Sequence, residues 1–237
     1  MFVFVFVLAF VSAVAACGGS GDARPGKLGA HIEDRYIDPV AMDQKQAVVA
    51  AQNAWSAAKM ENATAEAAFN ATSLTIVRND RDKAKLELSS ANSNKKSAEA
   101  SADTNKINTA TKDLRSAELG VKAADARIHY FESYRGYLKQ TWLAAEETMY
   151  WREAQYELAK SQLAQKNNIS PKGIAFDNFV KQEAERSKRA ASAKSRVEGE
   201  KSKASSARES WLKAQQTADQ AKGTPSSFPD PMMSAKS

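Results

Sequence analysis

Few residues of this chain could do chemistry. It offers one cysteine and two histidines in 237 residues. His31 and His129 lie far apart, and neither has a second His or Cys at metal-ligand spacing, so no metal site is expected. Glu146 and Glu147, close to Trp142, are the one carboxylate pair that suggests acid–base work. They sit among Lys and Arg at helical spacing, and so read as the solvated flank of a coiled coil. No glycine-rich phosphate loop, GxSxG or HExxH occurs. The expectation is a protein that is not an enzyme and holds no cofactor. Cys17, being single, cannot form an intrachain disulfide.

The position of that cysteine is what gives it meaning. Residues 2–16, FVFVFVLAFVSAVAA, carry no charge. The run is shorter than the roughly 20 residues that span a bilayer, and it ends in small residues, as the core of a signal peptide does. The sequence Val14-Ala15-Ala16-Cys17 resembles the lipobox of bacterial lipoproteins. The resemblance implies a signal peptide over 1–16, a diacylglyceryl group on the Cys17 thiol, cleavage before it and acylation of the new amine. Each buried methylene contributes about 0.8 kcal/mol, so two or three chains would hold the protein on a membrane. Gly18, rather than Asp, follows the cysteine. In diderm bacteria this resembles the pattern sent to the outer membrane, with the body facing the periplasm. Gly18-Gly19-Ser20-Gly21 suits a tether, and residues 17–38 as a whole read as the lipidated cysteine and a flexible linker. Asp38-Pro39 has the form of an N-cap followed by a first-turn proline.

The elements beyond this linker are predicted to be all-α. Six prolines and ten glycines are few for the length. From Val40 to Gln165 there is no proline, and the only glycines are Gly120 and Gly136. A chain without breakers and rich in Ala, Lys, Glu and Ser favours long helices. Apolar residues recur at 3-4 spacing, the coiled-coil heptad. One run includes Val48, Trp55, Phe69 and Ile76, a second Leu114, Val121, Ile128 and Phe131, and a third Ala190, Val197, Ala204 and Trp211. The second helix alone carries another stripe beside the first, Tyr130, Tyr134 and Tyr137, with Trp142 further on. It should therefore be the middle rod of an up-down-up three-helix bundle of antiparallel coiled-coil helices.

The predicted helices are 39–96, 101–167 and 171–222, in a domain over 39–222, with a disordered tail over 223–237. The polar stretch Ser89–Asn108 reads as a hairpin tip with Asp103 as N-cap, the alternative being a helix that runs straight through. A fold near residue 98 would face Val48 with Met149, Trp55 with Trp142, Phe69 with Ile128, and Ile76 with Val121. The expected core and interface residues are Trp55, Phe69, Ile76, Val121, Ile128, Phe131, Trp142 and Trp211.

The net charge is +6, and Lys181–Lys222 holds eleven Lys/Arg against six Asp/Glu. Such a face is either a solvated helix surface or a surface for anionic lipid or wall polymer. No nucleic-acid-binding motif is present. The reading that follows is a membrane-anchored lipoprotein of the cell envelope, acting as a structural or adaptor coiled coil. Its partners would be the membrane through the lipid anchor and a protein or the cell wall, with a homo-oligomer through exposed heptads as a further option. The alternatives are a periplasmic holding chaperone or assembly factor, and anionic membrane or wall-polymer binding through the basic third helix.

Overall fold

The computed structural model describes residues 24–234. Cys17, the apolar run and the glycine-rich tether lie outside the described residues. The described chain is all-α, with four long helices and no strand among the described residues: α1 Gln46–Ala71, α2 Thr75–Ala100, α3 Thr104–Lys166 and α4 Asp177–Lys222. A last turn, α5, spans Pro231–Ser234.

The chain runs up through α1 and α2, down α3 and up α4. The 63 residues of α3 make a rod of about 95 Å. It packs along α1, α2 and α4, and no interface of comparable extent joins α1 or α2 to α4. Its two stripes explain this. Ile128 meets Val77 of α2 and Leu74 just before it, while Tyr130 and Tyr134 meet Ala204, Ala207 and Trp211 on α4. The alanines of α4 bring the two axes close, and the Trp211 ring stacks on Tyr130 with centroids 5.4 Å apart.

The expected first helix is two helices. Thr72 adopts an extended conformation and ends α1. The Thr72 hydroxyl donates to the Ala68 carbonyl, and the Thr75 amide donates to the Ser73 hydroxyl. These short polar side chains offer the backbone alternatives to the helical ladder. The break shifts the helical phase. Leu74 and Val77 turn inward, at 9% and 1% exposure, and Ile76, expected in the core, lies 67% exposed on the outer face.

The hairpin tip is shorter and later than the composition suggested. α2 continues through the polar stretch to Ala100, and the turn is Ser101-Ala102-Asp103. Asp103 caps α3, its carboxylate accepting from the Asn105 and Lys106 amides at 2.9 and 3.2 Å. The later turn and the extra residues at Thr72–Leu74 change the pairing. Trp55 stacks on Tyr156 rather than facing Trp142, and Phe69 stacks on Trp142 rather than facing Ile128. Both pairings slip by two heptads along α3, a shift that leaves the same stripe in the seam.

The helix starts differ from expectation too. Pro39 lies in a turn, and α1 begins at Gln46 after a 3-10 turn over Met42–Lys45. At the far end of α3 the Asn168 and Ile169 amides donate back to Gln165 and Ala164, a Schellman closure with Asn168 at φ 56°. Pro171 does not open the next helix, because Gly173 follows at φ 80°, a left-handed conformation that a right-handed helix excludes. α4 starts at Asp177 and stops at Gly223, φ 77°.

Both flanking segments are docked on the rods, where a flexible linker and a disordered tail were expected. Ile32 and Ile37 are 0% and 5% exposed, packed with Val48, Tyr156, Leu163 and Phe179. This core between α1, α3 and α4 needs the linker to close it. The tail crosses α3 as a strap. Asp230 accepts from the Tyr130 hydroxyl and from Arg208 Nε, both at 2.6 Å. The Phe228 ring lies over the Arg127 guanidinium, and Met232 packs beside Tyr130.

Candidate functional site

The densest polar arrangement lies where the segment after the tether meets the rods. α3 presents Glu146, Glu147, Glu157 and Lys160, and α4 presents Gln182 and Arg186. All of these except Gln182 are buried. Charges at this depth need partners, and residues 24–34 supply them. Arg24 grips the Glu146 carboxylate through Nη2 at 2.9 Å and Nε at 3.2 Å. Its guanidinium also lies 4.9 Å from the Trp142 ring centroid. The Gln182 side chain accepts from the Gly29 and Ala30 amides, each at 2.9 Å, and donates to the Ala30 carbonyl at 3.1 Å. Arg186 donates to the Gly26 carbonyl.

The centre of the cluster is Glu157. Its carboxylate accepts the Ile32 amide at 2.8 Å, pairs with His31 Nδ1 at 2.8 Å, and receives the Lys160 ammonium at 3.1 Å. The fully buried Lys160 reaches Asp34 at 2.8 Å as well. The hydrogen bond from Lys160 holds the Asp34 carboxyl below its ordinary range. Burial, with the Asp34 and Glu157 charges close by, pushes the Tyr156 hydroxyl up to about 12. Burial likewise raises Glu147 against the pull of Arg186, and raises Glu153 beside Glu157.

The chemistry of this arrangement is attachment. Seven residues of the N-terminal segment, Arg24, Gly26, Gly29, Ala30, His31, Ile32 and Asp34, meet polar groups of α3 and α4. Glu146 and Glu147 are therefore not the solvated flank that their spacing suggested. At 6% and 8% exposure they belong to the clamp, because the segment from Arg24 onward and Arg186 of α4 cover them.

The other expected residues are distributed along the rods. Trp211 and Ile128 are buried. Trp55, Phe69, Val121, Phe131 and Trp142 are half-buried at the helix seams. Trp55 and Trp142 join the clamp's edge through Tyr156 and Arg24, while Ile76 takes no part. Asp34, Glu157, Lys160 and Arg186 were not singled out from the sequence. The available signal was Glu157 and Lys160, three residues apart between Tyr156 and Leu163, together with Ile32 and Ile37 inside an otherwise polar linker.

Open grooves also run along the rods. One of them, about 650 Å³, lies over α3 between α2 and the end of α4. No helix among the described residues is long and apolar enough to cross a membrane. None of their His, Cys, Asp and Glu side chains gather in a group that could hold a metal ion. No protein-family model, curated protein or solved structure matches the chain.

Proposed function

We propose that this chain is a lipoprotein of the bacterial cell envelope, tied to the outer membrane through Cys17, whose helical body is a structural or adaptor rod. It carries out no catalysis in this reading. The observation that supports it is the clamp. The segment that follows Cys17 is bound by buried ion pairs at one end of the rods, through Glu146, Glu157 and Lys160. The hairpin tip at Ser101–Asp103 lies at the other end of α3. From Glu157 to Thr104 the helix rises about 80 Å. A lipid at residue 17 would thus hold one end at the bilayer and carry the tip far from it, towards a protein or the wall. Load on the anchor would pass through six residues of chain into a rigid helix rather than into a slack linker.

The test is a Cys17→Ala chain, followed by membrane fractionation and intact-mass measurement of the mature protein. The reading expects the parent protein to carry the mass of its acyl chains and to sediment with outer membranes, and the variant to be released. A parent chain with an unmodified thiol, or a variant equally membrane-bound and active, would refute it. The open groove favours a second reading, a holding chaperone that shelters client segments along α3. Suppression of client aggregation at stoichiometric amounts would support that role, and no effect on aggregation would remove it.

A further inference from the structure

The N-terminal segment has a direction on the rods, and that direction fixes where an anchor leaves the body. Arg24 pairs with Glu146, Gln182 of α4 binds Gly29 and Ala30, Glu157 accepts the Ile32 amide, and Asp34 meets Lys160. From Arg24 to Asp34 the chain therefore descends α3 by about 21 Å, towards its Lys166 end. The tether joins the body at the upper end of this descent, about 30 Å above Lys166 and about 63 Å below Thr104. Arg24 follows Cys17 by seven residues, a reach of at most about 25 Å. A rod standing upright on its Lys166 end would hold Arg24 beyond that reach. With a lipid on Cys17, the rod must lean, and the face that carries residues 24–34 turns to the bilayer.

That face is also the basic one. By helical position, the charges of α4 divide into two flanks. The flank beside Gln182, which binds the segment, carries Lys181, Lys188, Arg189, Arg196, Lys203 and Lys213 against Asp177, Glu185 and Glu200. Glu185 pairs with Arg189, and Glu200 with Lys203. Lys181, Lys188, Arg196 and Lys213 are exposed and have no ion pair among the described residues. The flank of Glu183, which accepts from Trp151, is mixed: Lys194 and Lys201 stand against Glu183, Glu198 and Glu209, and Arg208 is held by Asp230. On the segment side α3 adds Arg135 and Lys139, on the helical line of Glu146, while Glu132 is paired with Arg78. The segment from Arg24 to Asp38 is balanced, three positive charges against three negative. Lys59 of α1 is offset by Glu66 and Glu153. The excess of positive charge therefore runs along α4 from Lys181 to Lys213, about 48 Å.

We infer that this flank of α4 is the membrane-facing side of the rod and meets the anionic phospholipid headgroups of the bilayer, an inference that rests on the lipid read at Cys17. The short tether brings the flank to the surface, and its charge holds it there. Each Lys or Arg at an anionic surface strengthens binding about fivefold, and salt screens every one of them. The contact is therefore too weak to replace the lipid, and it is reversible. The rod can rise on its tether, which lifts the tip away from the bilayer.

The test uses the mature chain without its lipid, residues 17–237 with Cys17→Ala, so that its outcome does not depend on what residue 17 carries. Co-sedimentation at low salt should show binding to mixed phosphatidylglycerol–phosphatidylcholine vesicles and none to phosphatidylcholine alone. Lys188→Glu with Arg196→Glu should weaken that binding at least about tenfold. Lys194→Glu with Lys201→Glu makes the same change in net charge on the other flank, and should weaken it less than about threefold. All four positions are exposed, and glutamate is a good helix former, so circular dichroism should report the parent's helix content in both variants. Equal losses in the two variants would overturn the inference, since net charge alone would then explain the binding. Binding to purified anionic wall polymer but not to the vesicles would overturn it too. Acyl mass on the native Cys17 together with no vesicle binding would keep the anchor and remove this surface. Selective vesicle binding together with a bare native thiol would keep the surface and remove the anchor.

Discussion

The ammonium of Lys160, fully buried, lies 2.8 Å from the Asp34 carboxylate and 3.1 Å from that of Glu157. It joins a residue of the N-terminal segment to the last turns of α3, so the segment cannot leave without withdrawing the Asp34 carboxylate from that buried charge. Lys160→Met should release residues 24–37. Removing one member of a buried ion pair costs about 3–5 kcal/mol, because the other is left without compensation. The expected outcome is a lowered midpoint of thermal unfolding, together with new cleavage at Lys27 and Arg35 in limited proteolysis. A protease pattern like that of the parent would mean that Ile32 and Ile37 hold the segment unaided.

The same cluster sets the pH response. Asp34 has a folded pKa below its unfolded value, so its stabilisation is present above the unfolded value, about 3.9, and is lost as pH falls through the folded value. Glu147 and Glu153, raised by burial, act in the opposite sense, and stability rises as they take up protons. Tyr156 contributes stability that is present below about 10, its unfolded value, and lost as pH rises through about 12. Thermal unfolding should therefore show no loss from pH 7 to about 4.5, a steep loss below about 4 and another above about 10. A continuous decline from pH 7 to 5 would contradict this arrangement of charges.

The rod register is open to a direct measurement. Trp55 and Tyr156 stack with centroids 5.6 Å apart, and Phe69 and Trp142 with centroids 5.7 Å apart. Double-mutant cycles should give coupling of about 0.5–1.5 kcal/mol within each pair. Trp55 with Trp142, two heptads away, should give none.

The register error expected from the sequence shows what a heptad pattern can and cannot say. The all-α class, the central rod with two stripes and the seam residues Ile128 and Trp211 were legible, because burial on a helix leaves a 3-4 spacing. A slip of seven residues preserves that spacing, so the pattern does not fix which Trp faces which ring. Thr72 and Ser73 turned the stripe, and Ile76 fell outside while Leu74 and Val77 took its place. The clamp was less legible for another reason. Glu146, Glu157 and Lys160 have the spacing of surface ion pairs, and only the segment folded over them makes them interior. Ile32 and Ile37 were the trace of that cover in a stretch otherwise typical of a linker.

Ala102 sits at the tip with φ 53°, a left-handed conformation that costs a residue with a Cβ about 1–2 kcal/mol. Ala102→Gly removes the clash and adds freedom to the unfolded chain, which offsets part of the gain. The expected net effect is a stabilisation of about 0.5–1 kcal/mol, read as a higher midpoint in urea with an unchanged slope. No change in the midpoint would mean that the tip turns in some other way.

The strap offers the clearest link between local bonding and the shape of the whole. Asp230 accepts hydrogen bonds from α3 through Tyr130 and from α4 through Arg208. Burial pushes its carboxyl up, but those two donors and the Met232 amide outweigh it and hold the pKa down. Phe228 covers Arg127, which reaches across to Asp80 on α2. One short segment thus ties together the two rods that α3 otherwise keeps apart. Asp230→Ala leaves the Tyr130 hydroxyl without its acceptor in a site that is 0% exposed, a loss of about 1–3 kcal/mol. The amides of residues 226–233 should then exchange hydrogen rapidly, and those of α3 around Tyr130 faster than in the parent. Ending the chain at Gly223 should reproduce the faster exchange of α3 around Tyr130, since it removes Asp230 and Phe228 together. If the truncated chain unfolds at the same urea concentration as the parent, the strap rests on the rods without stabilising them.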